Sequence, residues 1–309
     1  MMKKIIWSIT SVIALLFIAA GGYAYYMYDS VKGTAEDMHE EVKRDKPQDS
    51  PTITKEKNES AEPISILMMG VDERENDRGR SDALIMMTLN PEKEKMQMIS
   101  IPRDTRTEII GHGTTDKINH AYAFGGTKMA IETVENFTDI PVDYYIRVNM
   151  EALSSLVDAM GGVTVHNDLD WYDEGYYKKG YHYREGDINL NGPKALGYVR
   201  MRHMDPNGDF GRNERQRQII TAIIDKASNV SAVTKFDDIL SVLGSNVKTD
   251  MTFDDMMNIQ KNYRSARNKI EQYEIKGQGG LIGGTYYLTV PEEEQDKVTD
   301  MLKDNLDIG

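Results

Sequence analysis

Residues 63–72 read PISILMMGVD and residues 81–104 read SDALIMMTLNPEKEKMQMISIPRD. These two stretches decide the fold class. Ile64 to Met69 is a short unbroken apolar run of the length of a buried strand. Asp82 to Leu89 and Lys95 to Ile101 have the same character, and Asn90-Pro91-Glu92-Lys93 between them is turn chemistry, so the two form a hairpin. The first strand ends near Gly70 and is followed by Val71-Asp72; a polar loop, Glu73 to Ser81, leads into the second, which starts at Asp82. The third strand returns from the hairpin turn and finishes at Ile101, ahead of Pro102-Arg103-Asp104. Chain direction alone therefore gathers Asp72, Asp82, Arg103 and Asp104 at one end of a sheet, the place where α/β proteins bind ligands.

Downstream, helical and extended patterns alternate. Gly126 to Phe137 reads as a helix, Tyr144 to Val148 as a strand, Met150 to Met160 as an amphipathic helix stopped by Gly161-Gly162, and Val163 to Val165 as a short strand. Arg212 to Ser228 reads as a helix with Gln216, Ile219, Ile220, Ile223 and Ala227 on one stripe. Helices at 236–243, 252–266 and 293–306 follow, with strands near 272–276 and 285–289. Alternation with one hairpin predicts an α/β fold, a mixed central sheet between helical layers.

The N-terminus has a different character. Lys3 and Lys4 precede an uncharged run, Ile5 to Tyr28, long enough for a membrane-crossing helix, which needs about 20 residues. Trp7 and the tyrosines at 23, 25, 26 and 28 mark its two ends as aromatic rings mark membrane interfaces. The expected organisation is a cytoplasmic tail (1–4), a transmembrane signal-anchor (5–28), a stalk (29–62) and an extracytoplasmic domain (63–309), with the lipid bilayer as a partner. A cleaved signal peptide is the alternative. The net charge of −13 argues against a general nucleic-acid binder, which needs broad basic surface. With no cysteine, disulfides, zinc thiolates and cysteine nucleophiles are excluded.

Any anion site must then be a local basic pocket in an acidic protein. Arg200, Arg202, Arg212, Arg215 and Arg217 crowd a short span. Tyr198-Val199-Arg200-Met201-Arg202, read as extended chain, turns Arg200 and Arg202 to one face. Arg212 and Gln216 are one helical turn apart in the first turns of a helix, where arginine opposes the dipole unless an anion is bound. Arg215 and Arg217 read as a solvated charged face. Asp72 and Asp82 suit a Mg²⁺ ion shared with substrate phosphates, Mn²⁺ being an alternative, or else are ordinary turn and strand-start residues. The aromatic-rich tract Trp171 to Tyr183 reads as a self-packed surface hairpin in preference to a sugar-stacking flap. Gly277 to Gly284 lacks the ending of a P-loop and reads as a turn, and the six histidines show no metal spacing.

Six stretches, in order, carry a family resemblance: Met69-Gly70-Val71-Asp72, Gly79-Arg80-Ser81-Asp82-Ala83, Ser100-Ile101-Pro102-Arg103-Asp104-Thr105, Lys117-Ile118-Asn119-His120-Ala121-Tyr122, Tyr198 to Arg202, and Asp209-Phe210-Gly211-Arg212-Asn213-Glu214-Arg215-Gln216. The chain resembles the LytR-CpsA-Psr family, among them the wall teichoic acid ligases. The resemblance implies a three-layer α-β-α sandwich with an apolar pocket for a lipid tail. It implies a transferase that moves a glycopolymer from a polyprenyl diphosphate carrier to the muramic acid 6-hydroxyl of peptidoglycan. It implies Asp72 and Asp82 as Mg²⁺ ligands and catalytic residues with Arg103, and Arg80, Arg103, Lys117, Arg200, Arg202, Arg212 and Gln216 around the phosphates. The base that accepts the hydroxyl proton stays open among Asp72, Asp82 and Asp104. A polyprenyl-diphosphate hydrolase and a non-catalytic lipid-binding regulator are the alternative functions; a four-residue cytoplasmic tail is too short to bind DNA.

Overall fold

A computed structural model describes residues 22–44, 61–72, 79–229 and 236–308. The expected tail (1–4), residues 5–21 of the expected anchor (5–28) and the later part of the expected stalk lie outside these residues, and the rest of the expected anchor, 22–28, begins the first described helix; among the described residues no helix is long and apolar enough to cross a membrane. The chain opens with helix α1 (22–38). Strands β1 (Ile64–Val71), β2 (Ser81–Asn90) and β3 (Lys95–Ser100) follow, then a small ribbon of β4 (Arg106–Ile109) and β5 (Thr114–Lys117) and helix α2 (His120–Thr138). Next come β6 (Tyr144–Asn149), α3 (Met150–Ala159), β7 (Val163–Asn167), β8 (Trp171–Tyr172), β9 (His182–Tyr183) and β10 (Gly186–Leu190). The C-terminal half holds α4 (Gly192–Arg200), α5 (Asp209–Asn229), α6 (Phe236–Asn246), β11 (Val247–Thr249), α7 (Phe253–Asn262) and β12 (Lys269–Glu274). It ends with β13 (Gln278–Ile282), β14 (Thr285–Thr289) and α8 (Glu292–Leu306).

Six strands form the central sheet in the order β11-β6-β1-β2-β3-β12. β1, β2 and β3 are antiparallel neighbours, while β6 runs parallel to β1 and β12 parallel to β3, so the sheet is mixed as expected. The β2–β3 turn is an Asx turn: Asn90 Oδ1 accepts from the amides of Glu92 (3.0 Å) and Lys93 (2.9 Å). Period-two alternation sends Leu67, Met69 and Val71 to one face and Ile64 and Ile66 to the other. The first face packs on Ala130, Ile131 and Val134 of α2 and Val298 and Leu302 of α8. The second packs on Ile220 and Ile224 of α5 and Met256 and Ile259 of α7. The result is the three-layer α-β-α sandwich.

Several readings need correction. Tyr198 to Arg200 is not extended but closes α4, a helix begun by Asn191, whose side chain caps the Lys194 amide, and by Pro193; only from Met201 does the backbone extend. Arg215 and Arg217 are not solvated: they are 5% and 7% exposed. Arg215 donates to the carbonyls of Tyr198 (3.0 Å) and Met201 and pairs with Asp205, clamping the segment after α4. Arg217 binds Ser100 Oγ (2.6 Å) and Glu274 (3.3 Å), tying α5 to β3 and β12. Gly277 to Gly284 is largely the β13–β14 hairpin rather than a simple turn. The helix expected from Gly126 has an added turn in front, broken at Gly126 with φ of +67°, which a glycine adopts without strain. Residues 29–44, expected to be stalk, lie against the domain: Ala35 is 2% exposed, and Arg44 pairs with Glu135 (3.3 Å) and Asp250 (3.5 Å).

Candidate active site

The site begins with a bulge. β1 and β2 pair regularly until the register shifts between Gly70 and Val71. Just beyond it, the Arg80 carbonyl accepts from the amides of both Asp72 (3.3 Å) and Asp82 (3.1 Å), so one backbone oxygen ties the two aspartates together at the sheet end. Arg103, on the turn after β3, donates from Nη1 to Asp82 Oδ1 at 3.1 Å. The buried Asn119 donates to the same oxygen at 3.2 Å.

Across from this edge stands the first turn of α5. Asp209 collects three guanidinium groups: Arg103 at 3.6 Å, Arg202 at 3.9 Å and Arg212 at 3.5 Å. Arg200 reaches Asp72 at 3.7 Å from the end of α4. Asp72, Asp82, Arg103, Tyr176, Arg200, Arg202, Arg212 and Gln216, with Val199, line one pocket of about 250 Å³.

The electrostatics of the two inner arginines differ. Burial works to lower the Arg103 guanidinium, but Asp82, Asp209 and Asp104 overcome it and hold it above its ordinary value. Burial lowers the Arg212 guanidinium and the nearby charge of Arg103 adds to this, with Asp209 and Asp82 offsetting only part. Arg212 is 6% exposed, and among the described residues its Nε and Nη2 are buried without a hydrogen-bond partner. A buried cation with unused donors among the described residues, at a helix N-terminus and among other cations, has the chemistry that suits an anion.

A second cavity, about 160 Å³ and apolar, opens on the other side of Val199 and Gln216, which line both. Ile219, Ile220, Ile223 and Ile224 of α5 form one wall, and Leu153 and Leu156 of α3 another. Its floor is the register pair Gly70–Ala83, where small residues leave the sheet surface open. The α5 stripe expected to be core is thus also a cavity wall.

Seven sequence-identified residues meet at the charged pocket: Asp72, Asp82, Arg103, Arg200, Arg202, Arg212 and Gln216. Lys117 stands one carboxylate away, donating to Asp104 Oδ1 at 2.6 Å while Asp104 Oδ2 lies 3.7 Å from Arg103. The Arg80 side chain is exposed and lines neither cavity; its carbonyl contributes instead. Sequence reasoning missed Asp209, Asn119 and Tyr176. The spacing of Asp209 three residues before Arg212 was the available signal for the first.

The LytR_cpsA_psr family model matches residues 25–304. The chain belongs to this family. The polyisoprenyl-teichoic acid–peptidoglycan teichoic acid transferase TagU of Bacillus licheniformis is 48% identical over 305 residues, 98% of this chain and 96% of that protein. The crystal structure of B. subtilis TagU superposes with a TM-score of 0.64 at 48% identity, covering 80% of this chain and 97% of that one. A structure of TagT bound to LIIa-WTA superposes with a TM-score of 0.70 at 30% identity, covering 82% of this chain and 95% of that one. In this chain the charged pocket and the apolar cavity lie side by side, at the sheet end that carries Gly70, Asp72, Asp82 and Ala83.

Proposed function

We propose that this protein is a transferase that moves an anionic glycopolymer, of the wall teichoic acid class, from a polyprenyl diphosphate carrier to the muramic acid 6-hydroxyl of peptidoglycan. The observation that carries the reading is the junction of the two cavities at Val199 and Gln216. An amphiphile with a diphosphate head and a hydrocarbon tail fits it: the tail covers the isoleucines of α5 while the head meets Arg212, Arg200, Arg202 and Arg103. The relatives' role as teichoic acid transferases agrees with this chemistry.

In the reaction the acceptor hydroxyl oxygen forms a bond to the phosphorus that bears the sugar. The bridging P–O bond breaks, polyprenyl phosphate leaves with the electron pair, and the hydroxyl proton passes to a carboxylate or to water. The diphosphate already holds the driving energy, so the protein has to position the groups and neutralise developing charge. Arg212 supplies unused donors, Arg103 is held charged by three carboxylates, and Arg200 and Arg202 stand at the rim.

Asp72 and Asp82 fit a Mg²⁺ or Mn²⁺ ion: both offer hard oxygen donors to the same pocket. Among the described residues no group of three or more His, Asp or Glu side chains could hold a metal, so the ion would rest on these two aspartates and substrate oxygens. When bound, it would neutralise negative charge on the diphosphate. The domain works outside the cell membrane, held by the N-terminal anchor, with the bilayer supplying the lipid-linked substrate. The test supplies purified full-length protein with lipid-linked polymer, with and without peptidoglycan. Polymer on peptidoglycan and free polyprenyl phosphate are expected only with both present. Equal phosphate release without peptidoglycan identifies a hydrolase, and no turnover with tight lipid binding identifies a non-catalytic binder.

A further inference from the structure

Among the described residues lining the charged pocket, Tyr176 is the one aromatic. It comes from the loop between β8 and β9, whose other rings are occupied. Trp171 stacks on Tyr183 at 4.0 Å, Tyr172 on His182 at 4.4 Å, and Tyr181 meets Tyr177 and Tyr183 edge-on. Among the described residues Tyr176 makes no ring contact and its hydroxyl no hydrogen bond; it is 36% exposed.

The backbone beneath it is fixed. The buried Asp173 carboxylate accepts four consecutive amides: Gly175 and Tyr176 at 2.9 Å, Tyr177 and Lys178 at 2.7 Å. Burial alone would raise this carboxyl, but the four donors outweigh it and hold it below its ordinary value. The loop is also seated on α4. Tyr183 donates to the Lys194 carbonyl at 2.9 Å, and a methyl group at Gly197 would lie 2.6 Å from Tyr183 Oη and 2.8 Å from Tyr177 Cβ. Glu174 pairs with His203 at 3.4 Å, joining the loop to the segment that carries Arg202. The loop thus holds a free ring on a rigid base over the pocket.

We infer that Tyr176 is a specificity-determining residue that stacks on the sugar joined to the diphosphate. This rests on the proposed transfer from a lipid-linked diphosphate. With the tail in the apolar cavity and the phosphates on the arginines, the sugar has to leave the pocket on the side away from Val199 and Gln216. Tyr176 borders the charged pocket and not the apolar cavity, and it presents a ring face, which the charged phosphates do not use. A flat apolar ring with a polar tip suits the face of a pyranose.

The experiment measures the affinities of the full-length protein for two probes, farnesyl diphosphate and farnesyl diphosphate N-acetylglucosamine, and reads their ratio. Wild type is expected to favour the glycosylated probe, and Tyr176→Ala to reduce that preference about 10-fold, the size of a lost aromatic contact. Tyr176→Phe is expected to keep the preference, because the ring face is retained. Gly197→Ala, whose methyl group would press on Tyr177 and Tyr183 at the seat of the loop, is expected to shift the ratio in the direction of Tyr176→Ala. A ratio within about twofold of wild type in Tyr176→Ala overturns the inference while leaving the transferase reading intact. Loss of the preference in Tyr176→Phe overturns stacking in favour of the hydroxyl. Failure of wild type to bind either probe overturns both readings.

Discussion

Arg212→Met should make the ligand-free protein more stable while removing its response to ligand. Arg212 is almost fully buried, its Nε and Nη2 have no hydrogen-bond partner among the described residues, and it lies close enough to Arg103 and Arg202 for their charges to disfavour its own. Its ion pair among the described residues, to Asp209 at 3.5 Å, is long, and Asp209 keeps Arg103 and Arg202 when it is gone. A buried donor without a partner costs about 1–3 kcal/mol, and methionine fills similar volume with no donor. Allowing for the lost contact to Asp209, the net gain is about 1–2 kcal/mol. For a domain of this size each kcal/mol moves the melting temperature by about 2–4 °C, so a rise of about 2–8 °C is expected. Calorimetric melting of wild type and variant, with and without farnesyl diphosphate, tests this. Wild type should gain stability on adding the ligand by mass action and the variant should not. A variant that melts below wild type without ligand, yet keeps the full ligand shift, would refute the assignment of Arg212 as a strained anion receptor.

Other outcomes follow from the same geometry. Arg103→Ala, Arg200→Ala and Arg202→Ala should each lower turnover about 30- to 1000-fold, the loss of a charge-assisted contact to a desolvated phosphate; turnover and melting measured on the same samples check this, and near-normal turnover in all three excludes the pocket. Asp82→Ala should reduce the coupling between Mg²⁺ and farnesyl diphosphate, expected at about 1–3 kcal/mol in wild type, as read by titration calorimetry with and without chelator. Arg217→Met should cost about 3 kcal/mol or more at pH 8 and much less at pH 5.5, by urea unfolding. Burial pushes Glu274 up to about 7 from an ordinary 4.5, against Asn213 and Arg217. Its folded state therefore holds a proton more tightly than the unfolded chain, and that contribution favours folding at low pH and is lost as pH rises through about 7. Removing Arg217 raises Glu274 further, so the penalty appears at the alkaline end.

The meeting of Asp72, Asp82 and Arg103 was legible because strand direction and a two-stranded turn are local properties of sequence, and they suffice to say which strand ends coincide. The stripe on α5 was legible for the same reason. What it faces was not: Gly70 and Ala83 withhold side-chain bulk from the sheet, and a cavity exists only where two elements distant in sequence fail to fill the space between them. Arg215 and Arg217 show the limit most clearly. Their partners are Tyr198, Met201 and Asp205 on one side and Ser100, Gln272 and Glu274 on the other, contacts spanning 10 to 117 residues that no helical period encodes. Tyr176 was hidden inside an aromatic-rich tract read as one hairpin, although most of its rings do pack on each other and only one is spared.

The segment after α1 has a consequence for where a fragment of this protein can begin. β11 is the outermost strand of the sheet, and its free side is covered by the protein's own N-terminal segment: His39 bridges Thr249, and the Glu40 amide donates to the Thr249 carbonyl at 2.7 Å. Glu40 also meets Arg147 at 3.3 Å. A fragment starting at residue 61 would lose these contacts together with Arg44, leaving Asp250 without its cation and the rim of β11 bare. An uncovered strand rim is a template for pairing with a second molecule. Such a fragment would self-associate through the sheet, whereas one that retains residues 39–44 would stay apart, although both contain every residue of the charged pocket.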